Sequence, residues 1–337
     1  MGSVIPLKKT VNSSYLELKD LVGHKLSKVE DVIQKRLVSK VGLIKKMTDH
    51  HLSSGGKRIR ALLTLGSSKL LGYELGNRDV NLAACVELIH AATLLHDDVI
   101  DNSDIRRGFK TPNAIWGNQS SILVGDYLLS RCFEIMVEDG DIEILKLLSS
   151  TSAKIAQGEV LQLQHKGEAD LIEEDYLKII NLKTASLFAA ATRTGACLAG
   201  SNIKEKNLLE SYGKNLGLAF QIADDALDYH SEKIIFGKEI GKDFYEGKAT
   251  LPLIILYQRS TALEREYLIE VFKKDNRTLE DFQKVIKLIN KYNAVDESFK
   301  RAEYFVNVSR DALSIFEDSE EKRILQSLTK FSLDRKY

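Results

Sequence analysis

Two clusters of aspartate, each set in an apolar run, are the residues of this chain best suited to chemistry. The first reads His96-Asp97-Asp98-Val99-Ile100-Asp101 and the second Gln221-Ile222-Ala223-Asp224-Asp225-Ala226-Leu227-Asp228. On a helix, positions four apart share a face, so Asp97 lies beside Asp101 and Asp224 beside Asp228. Like charges held this way among apolar neighbours need a cation to offset them. A hard divalent ion such as Mg²⁺, which binds carboxylates together with substrate phosphates, meets that need.

A solvated helix face is the competing interpretation of such an acidic cluster. A single Asp-Asp-x-x-Asp in a charged helical protein usually has that meaning. Both copies here follow apolar segments, however, Ala91-Ala92-Thr93-Leu94-Leu95 and Leu216-Gly217-Leu218-Ala219-Phe220. The pair therefore favours a cage in which metal ions carry a diphosphate between the two clusters.

Basic residues that could bind phosphate oxygens occur in short groups near these clusters. The turn Gly55-Gly56 precedes Lys57 and Arg60 at a predicted helix start, where free backbone N–H groups and the helix dipole attract anions. Arg106 and Arg107 follow the first aspartate cluster, and guanidinium groups bind phosphate in a bidentate manner. The remaining basic positions of interest are Lys183 in an apolar stretch and Lys238, Lys242 and Lys248 on a glycine-rich loop. Taken singly, any of these residues is more often an ordinary surface charge.

Apolar residues at helical spacing predict the elements that carry these groups. After a helical region over 11–50, the predicted helices span 57–71, 79–100, 122–136, 142–163, 174–198, 206–229 and 251–257, followed by a charged C-terminal pair. Proline occurs only three times, which favours an all-α protein. No linker or change of composition divides the chain. We therefore predict one domain over 1–337, with the motifs in a core of about 40–260 and charged helices over about 261–337.

Composition and missing motifs argue against several classes of function. Lysine plus arginine equals aspartate plus glutamate, at 48 residues each, so no net charge points to nucleic acid. The chain has no Walker-type phosphate loop, no Gly-x-Gly-x-x-Gly and no Gly-x-Ser-x-Gly. Cys85, Cys132 and Cys197 show no metal or disulfide spacing, and we expect buried free thiols. Without a recognisable signal peptide or a membrane-spanning run, we expect a cytoplasmic protein.

Eight sequence blocks, in order, resemble the motifs of the trans-isoprenyl diphosphate synthases, also called polyprenyl synthetases. The blocks are Gly55–Arg60, Leu94–Asp101, Arg106–Gly108, Val124–Asp126, Gln157–Glu159, Lys183–Thr184, Phe220–Asp225 and Gly247–Pro252. The sequence departs from the family pattern at Ala61, where many members have proline. The resemblance is strongest to the long-chain octaprenyl and decaprenyl diphosphate synthases. It implies an all-α isoprenoid-synthase helical bundle with a central active-site cavity, and a homodimer.

The resemblance also implies roles for individual residues. Asp97, Asp101 and Asp224 would bind Mg²⁺ that bridges an allylic diphosphate, with Asp98, Asp225 and Asp228 in support. The allylic diphosphate would contact Arg106, Lys183, Thr184, Gln221, Lys238 and Lys248. Isopentenyl diphosphate would be held by Lys57, Arg60, His90 and Arg107. His90 lies about two helical turns before Asp97, so it shares the face of the metal site.

The implied reaction is a Mg²⁺-dependent prenyl transfer. An allylic diphosphate, with farnesyl diphosphate the expected primer, ionises when metal and Lys or Arg donors stabilise its leaving group in a site closed to water. The double bond of isopentenyl diphosphate attacks the allyl cation, and loss of a proton completes each condensation. No side chain stands out as the base, so the released pyrophosphate is the expected proton acceptor.

Small residues below the first aspartate cluster favour a long product. Thr93 and Ala92, four and five residues before Asp97, occupy a region where short-chain members of the family typically carry a bulky aromatic residue. An open apolar tunnel there favours an octaprenyl-like product, which would partition into membranes and supply quinone side chains. Phe133, on a flanking predicted helix, is a candidate floor of that tunnel, although an aromatic residue there is more often ordinary core packing.

Several other interpretations stay open at this point. A short-chain farnesyl or geranylgeranyl diphosphate synthase would share these motifs. A non-catalytic regulatory subunit of a heteromeric synthase usually lacks one acidic motif, and a terpene cyclase normally has a different second metal motif. Both aspartate clusters are intact here, which argues against the last two. A structural helical scaffold would explain the composition but not the doubled motif.

Overall fold

The computed structural model describes residues 13–53, 55–230 and 241–333, and over these ranges the protein is almost entirely α-helical. The α-helices are Ser13–Val22 (α1), Lys25–Arg36 (α2), Gly42–Ser53 (α3), Ile59–Leu70 (α4), Arg78–Ile100 (α5), Pro112–Trp116 (α6), Asn118–Asp139 (α7), Ile142–Gln164 (α8), Glu173–Ile180 (α9), Ser186–Leu198 (α10), Ile203–Asp228 (α11), Lys242–Glu246 (α12), Leu251–Arg259 (α13), Ala262–Phe272 (α14), Leu279–Lys291 (α15), Ala294–Ala312 (α16) and Glu320–Leu328 (α17). A short 3₁₀ turn, Thr329–Ser332, follows the last helix. Within the described ranges the strands are limited to one hairpin, Ile105–Arg106 (β1) with Phe109–Lys110 (β2). The predicted all-α fold class is confirmed.

Helix α5 lies in the middle of the fold because it is apolar on nearly every face. Its residues between Val80 and Ala92 are almost all buried. A helix without a polar face has to be covered on all sides, and α2, α4, α7 and α10 pack against this one. Its C-terminal end carries the first aspartate cluster.

Among the described residues the buried core consists of two apolar clusters, and α11 contributes to both. Leu209 and Leu216 pack in the larger cluster with residues of α4, α5 and α7. Ile222 and Ala226, further along α11, pack in the smaller cluster with residues of α13 to α16. The second aspartate cluster therefore lies where α11 joins the smaller cluster, whereas the first lies at the end of a helix in the larger one.

The predicted helix over 174–198 is interrupted in the structure. Between α9 and α10, residues Asn181–Ala185 form a turn of π-helix, which we call the π-turn. The extra residue of a π-turn leaves the apolar pattern almost unchanged, so periodicity does not reveal it. The prediction of two C-terminal helices is also wrong, because four helices, α14 to α17, occupy that region.

The polar stretch after α5 folds into the β1–β2 hairpin. Arg107 and Gly108 form its two-residue turn with positive φ angles of 53° and 83°, as the right-handed twist of a hairpin favours. His50 of α3 contacts the Lys110 carbonyl through Nε2 at 2.7 Å and packs edge-on against Trp116 of α6. These contacts fix the two arginines of the hairpin beside the end of α5.

Candidate active site

Each aspartate of the first cluster lies beside a cationic side chain. Asp97 Oδ2 is 4.0 Å from Lys183 Nζ, and Asp101 Oδ1 is 2.8 Å from Lys248 Nζ. Burial raises the pKa of Asp97 to about 6, although Lys183 opposes this. Burial would also raise the pKa of Asp101, but the Lys248 ammonium lowers it below its ordinary value. The protein therefore supplies cations of its own to the first cluster.

Asp98 differs from its two neighbours because its side chain points into the protein. It is fully buried, and its Oδ1 accepts a hydrogen bond from Nε of Arg106 at 2.8 Å and forms an ion pair with Nη2 at 2.8 Å. Asn113 of α6 donates to the Asp98 carbonyl at 3.3 Å and to the Ser103 carbonyl at 3.1 Å. Asp98 thus anchors the hairpin arginine and does not present its carboxylate to the cavity.

The second cluster has a different set of partners. Asp224 is exposed, whereas Asp225 is buried and accepts hydrogen bonds from the Tyr176 hydroxyl and the Gln221 amide, both at 2.7 Å. Asp228 Oδ2 accepts the backbone N–H of Asp243 at 2.9 Å. Burial raises the pKa of Asp225 to about 7 and that of Asp228 above its ordinary value. Neutral donors therefore hold these two carboxylates.

Lys248 connects the two clusters electrostatically. Besides Asp101, its Nζ lies 2.8 Å from Glu246 Oε2. Burial would lower the pKa of Lys248, but Asp101, Glu246 and Asp243 together raise it. Asp243 in turn has a pKa far above its ordinary value, because burial and the nearby Asp225 and Asp228 disfavour its ionised form. A chain of interacting ionisable groups thus runs from the first cluster through Lys248 and Asp243 to the second.

The π-turn provides a second connection between the clusters. Lys183 Nζ contacts Glu159 Oε2 at 2.5 Å and donates to Gln162 Oε1 at 2.9 Å, with Asp97 on its other side. The neighbouring Thr184 hydroxyl donates to Gln221 Oε1 at 2.9 Å, and Gln221 donates onward to Asp225. Two consecutive residues therefore reach towards opposite aspartate clusters.

The residues expected to hold isopentenyl diphosphate gather at the start of α4. Arg60 is stacked over the Phe188 ring at 4.6 Å, and burial lowers its pKa to about 10. His90 lies close enough that burial and the Arg60 charge hold its pKa well below the ordinary value. Arg107 lies beside Gly56 and donates to the Gly55 carbonyl, while Lys57 is exposed just before the helix. The result is a basic pocket that includes two partly desolvated guanidinium groups.

Glu87 of α5 fixes the end of α4 at this pocket. Its Oε1 accepts the backbone N–H of Ala61 at 3.0 Å, and its Oε2 lies 3.9 Å from Arg58 Nη1. Proline, which many family members have at this position, could not donate that hydrogen bond. Alanine in place of proline at position 61 therefore allows the hydrogen bond that joins α4 to Glu87.

The three residues expected to set product length lie in different environments. Ala92 is fully buried in the larger apolar cluster, whereas Thr93 is half-buried and its hydroxyl donates to the His90 carbonyl at 2.8 Å. Phe133 is 49% exposed on α7, so within this chain its ring does not close a buried tunnel. Their roles in product length stay predictions. Lys238, expected at the allylic diphosphate, lies outside the described residues.

Sequence reasoning missed several side chains of the site. These are His51, Glu87, Gln162, Tyr176, Asp243 and Glu246. His51, for example, lies near Arg106, Arg107 and Arg58, and burial together with these charges lowers its pKa to about 4. The short block between Gly241 and Lys248 carried the only signal, since two acidic residues stand there between glycines and lysines.

The arrangement of carboxylates fits a metal that substrate phosphates help to hold. Among residues 13–53, 55–230 and 241–333, no group of three His, Cys, Asp or Glu side chains is placed to hold a metal ion by itself. Mg²⁺ commonly binds one or two carboxylates and completes its coordination with phosphate and water. Asp97 and Asp101, one helical turn apart and 19% and 13% exposed, offer such a pair. No described helix has both the length and the apolar character to cross a membrane.

Comparisons with known proteins identify similar chains along nearly the whole length. The polyprenyl synthetase family model matches residues 41–289. Octaprenyl diphosphate synthase of Escherichia coli is 37% identical over 320 residues, which cover 95% of this chain and 98% of that protein.

Two solved structures are similar at the level of the fold. A decaprenyl diphosphate synthase from Rhodobacter capsulatus superposes with a TM-score of 0.91 at 37% identity, covering 95% of this chain and 99% of that one. A polyprenyl synthase from Caulobacter crescentus, complexed with calcium and isoprenyl diphosphate, also gives 0.91 at 40% identity, covering 96% and 98%.

Proposed function

The chain belongs to the polyprenyl synthetase family and is a prenyltransferase, and we propose that it is a long-chain all-trans polyprenyl diphosphate synthase. It condenses isopentenyl diphosphate repeatedly, head to tail, onto an allylic diphosphate, with farnesyl diphosphate as the primer. The observation that carries this proposal is the placement of two aspartate clusters around Lys183 and Lys248. Such an arrangement suits a diphosphate whose charge is shared between metal ions and lysines.

The allylic diphosphate binds between the clusters in this proposal. Arg106, Lys183, Thr184, Gln221 and Lys248 supply its donors, and Asp97, Asp101 and Asp224 supply the metal ligands. When bound, Mg²⁺ neutralises charge on the diphosphate and so favours its departure. Lys183 and Lys248 add fixed positive charge next to the leaving group, in a site where burial strengthens electrostatic interactions.

Isopentenyl diphosphate binds at the basic pocket of Lys57, Arg60, His90 and Arg107. Burial and repulsion from neighbouring arginines lower the pKa values of Arg60 and Arg107, so an anion relieves an unfavourable charge there. His90 remains neutral near pH 7 because its pKa is held well below its ordinary value, and it serves as a hydrogen-bonding group. His90 and Asp97 lie on one face of α5, which places the two substrates side by side for carbon–carbon bond formation.

A homodimer is the second part of the proposal. One stripe of α7 exposes large apolar side chains, with Ile122 42%, Phe133 49% and Val137 67% accessible. These positions follow helical spacing and would be covered by a second copy of the same helix. Phe133 then serves the interface. Light scattering coupled to gel filtration should give twice the chain mass of 37.9 kDa.

Product length and location complete the proposal. Thr93 is a small side chain on the face shared by His90 and Asp97, which leaves room for a growing chain. The product is apolar, partitions into membranes and supplies quinone side chains, while the enzyme itself works in the cytoplasm.

The direct test is incubation with farnesyl diphosphate, labelled isopentenyl diphosphate and Mg²⁺, with the extracted products sized by mass spectrometry. A ladder that ends at long polyprenyl diphosphates, lost in Asp97→Ala and kept in the exposed control Asp104→Ala, supports the proposal. Products that end at fifteen or twenty carbons would support prenyl transfer but overturn the long-chain assignment. Folded protein without any incorporation would favour a regulatory subunit.

A further inference from the structure

The π-turn is the irregular element that carries Lys183 and Thr184. The backbone N–H of Ser186 bonds to the carbonyl of Asn181, five residues back, instead of the usual four. The widened turn lets Lys183 reach Glu159, Gln162 and Asp97 while Thr184 reaches Gln221. π-turns interrupting α-helices frequently occur at functional sites. The question is what holds this backbone in place.

Gly158 of α8 touches one side of the π-turn. A Cβ atom at Gly158 would lie 2.6 Å from the Lys183 nitrogen, 2.9 Å from Leu182 Cβ and 3.0 Å from Lys183 Cα. Two of these three atoms belong to the backbone of the lysine itself, so a side chain at 158 requires that backbone to move. Glu159, the next residue of α8, and Gln162, one turn later, are the partners of the Lys183 ammonium.

Gly217 of α11 touches the other side of the turn in the same manner. A Cβ atom there would lie 2.7 Å from Ala185 Cα and 3.1 Å from Ala185 Cβ. Gln221, one helical turn after Gly217, is the partner of the Thr184 hydroxyl. On both α8 and α11, a glycine allows the backbone of the π-turn to approach closely. Within one helical turn after each glycine lies the side chain that contacts Lys183 or Thr184.

We propose that Gly158 and Gly217 are positioning residues, which fix the π-turn and thereby aim Lys183 and Thr184 at the diphosphate. This inference rests on the proposed function, because it takes these two side chains as diphosphate ligands. A methyl group at either glycine displaces the turn by a fraction of an ångström or more. Misplacement on the scale of 1 Å can lower a rate about 100-fold.

Gly195 of α10 provides a matched control. A Cβ atom there would clash equally closely, at 2.7 Å from the Ser68 nitrogen and 2.8 Å from the Thr64 carbonyl oxygen of α4. It lies ten residues beyond the π-turn and packs against a different helix. Gly195→Ala therefore tests what a backbone clash does to stability without reaching Lys183.

The experiment is a double-mutant cycle with Gly158→Ala, Lys183→Met and the combined variant, measured in full-length protein. Two readouts are used: kcat for prenyl transfer, and the Kd of Mg²⁺ with farnesyl thiolodiphosphate, an analogue that resists ionisation. We expect Gly158→Ala to weaken analogue binding and lower kcat about 10–100-fold, with the KM for isopentenyl diphosphate unchanged. In the Lys183→Met background, the additional loss should fall to about threefold or less, because the glycine acts through that lysine.

The control cycle, Gly195→Ala with Lys183→Met, should be additive even if the midpoint of thermal unfolding falls. Additive losses for Gly158→Ala, or unchanged binding and kcat, would overturn the inference. If Gly158→Ala does not fold, the cycle is run with Gly217→Ala and Thr184→Val, where the same coupling is expected. A wild-type protein that binds the analogue but makes no product would refute the proposed function, while the binding cycle would still decide the role of the glycines.

Discussion

The two aspartate clusters have the same sequence pattern but opposite electrostatic environments. In the first cluster, Asp98 bonds to Arg106 and Asp101 to Lys248, so cations offset the carboxylates. In the second, a tyrosine hydroxyl, a glutamine amide and a backbone N–H hold Asp225 and Asp228, and the buried Asp243 carboxyl lies near both. Accordingly the pKa of Asp101, 2.8 Å from its lysine, is lowered, whereas burial raises those of Asp225 and Asp228. Burial also raises the pKa of Asp97, whose lysine is 4.0 Å away.

This difference predicts different roles for the two aspartate clusters. The first cluster has a cation beside each aspartate before any substrate arrives, and in the proposed function its lysines contact the leaving diphosphate directly. Among the described residues, Asp225, Asp228 and Asp243 form a group of buried carboxyls whose ionised form is disfavoured, and a bound cation would favour that form. An identical motif therefore does not imply an identical role.

The largest expected effect comes from exchanging the third aspartate of each cluster. Asp101→Asn removes a proposed metal ligand, and we expect kcat to fall about 100–1,000-fold. Asp228→Asn changes a carboxylate that is already bound to the Asp243 backbone N–H, and we expect a loss of only about 10-fold. Steady-state kinetics on both variants check this order. Equal losses would mean that the two clusters act alike.

Lys248 is the residue that connects the two environments. Lys248→Met leaves Asp101 and Glu246 without their shared cation, so we expect kcat/KM for the allylic diphosphate to fall about 10–100-fold. Lys273→Gln, at an exposed position after α14, is the matched control and should behave as wild type. A loss confined to the KM for isopentenyl diphosphate would contradict the placement of Lys248 at the allylic diphosphate.

The middle aspartates should differ in their effect on stability. Asp98→Asn removes the charge that pairs with Arg106 and places an amide N–H₂ where Asp98 Oδ2 has no hydrogen-bond partner among the described residues. We expect the free energy of unfolding to drop by about 2 kcal/mol, reduced from a fully buried pair because Arg106 is 28% exposed.

Asp225→Asn is the counterpart in the second cluster. Its neutral partners can still bond to an amide, and the change removes repulsion from Asp224 and Asp228, so stability should stay the same or rise by about 1 kcal/mol. Urea unfolding of Asp98→Asn and Asp225→Asn measures the change in the free energy of unfolding for each. Similar destabilisation by the two substitutions would show that the partners' charge is irrelevant.

The smallest effect is expected at Tyr176. Tyr176→Phe removes one hydrogen bond to Asp225 while Gln221 still holds the carboxylate, so the protein should lose about 1 kcal/mol of stability and less than about threefold in kcat. Tyr304→Phe, at a side chain that is 59% exposed, should change neither quantity. A loss in kcat as large as that of Lys248→Met would place Tyr176 in the chemistry itself.

Much of the fold followed from the sequence because its signals are local. The apolar runs of α5 and α8 gave their bounds to within one or two residues, since each helix is long and periodic. The Gly-Gly-Lys-Arg turn likewise predicted the start of α4. The π-turn was missed, and four C-terminal helices among the described residues replace the predicted pair, because an inserted residue and short interhelical turns hardly change the apolar pattern.

The site was predictable only in part, because sequence patterns report local spacing and not contacts between distant residues. Residue type and spacing predicted the aspartates and cations of the candidate site, because chemistry of this kind needs carboxylates at one helical turn and basic groups nearby. Spacing says nothing about which way Asp98 points, and its pairing with Arg106 became visible only with the hairpin in place. Phe133, predicted as a tunnel floor, is 49% exposed on α7, and its role in product length stays a prediction.

The sequence by itself determined the helical architecture, the family and the identity of the charged groups, since these depend on composition and on neighbours within a few residues. Only the tertiary structure decided which lysine faces which aspartate and why twin motifs differ. Asp101 meets Lys248 across 147 positions of sequence, and Tyr176 meets Asp225 across 49. Electrostatic environment depends on distance in space and on burial, and packing of distant helices fixes both.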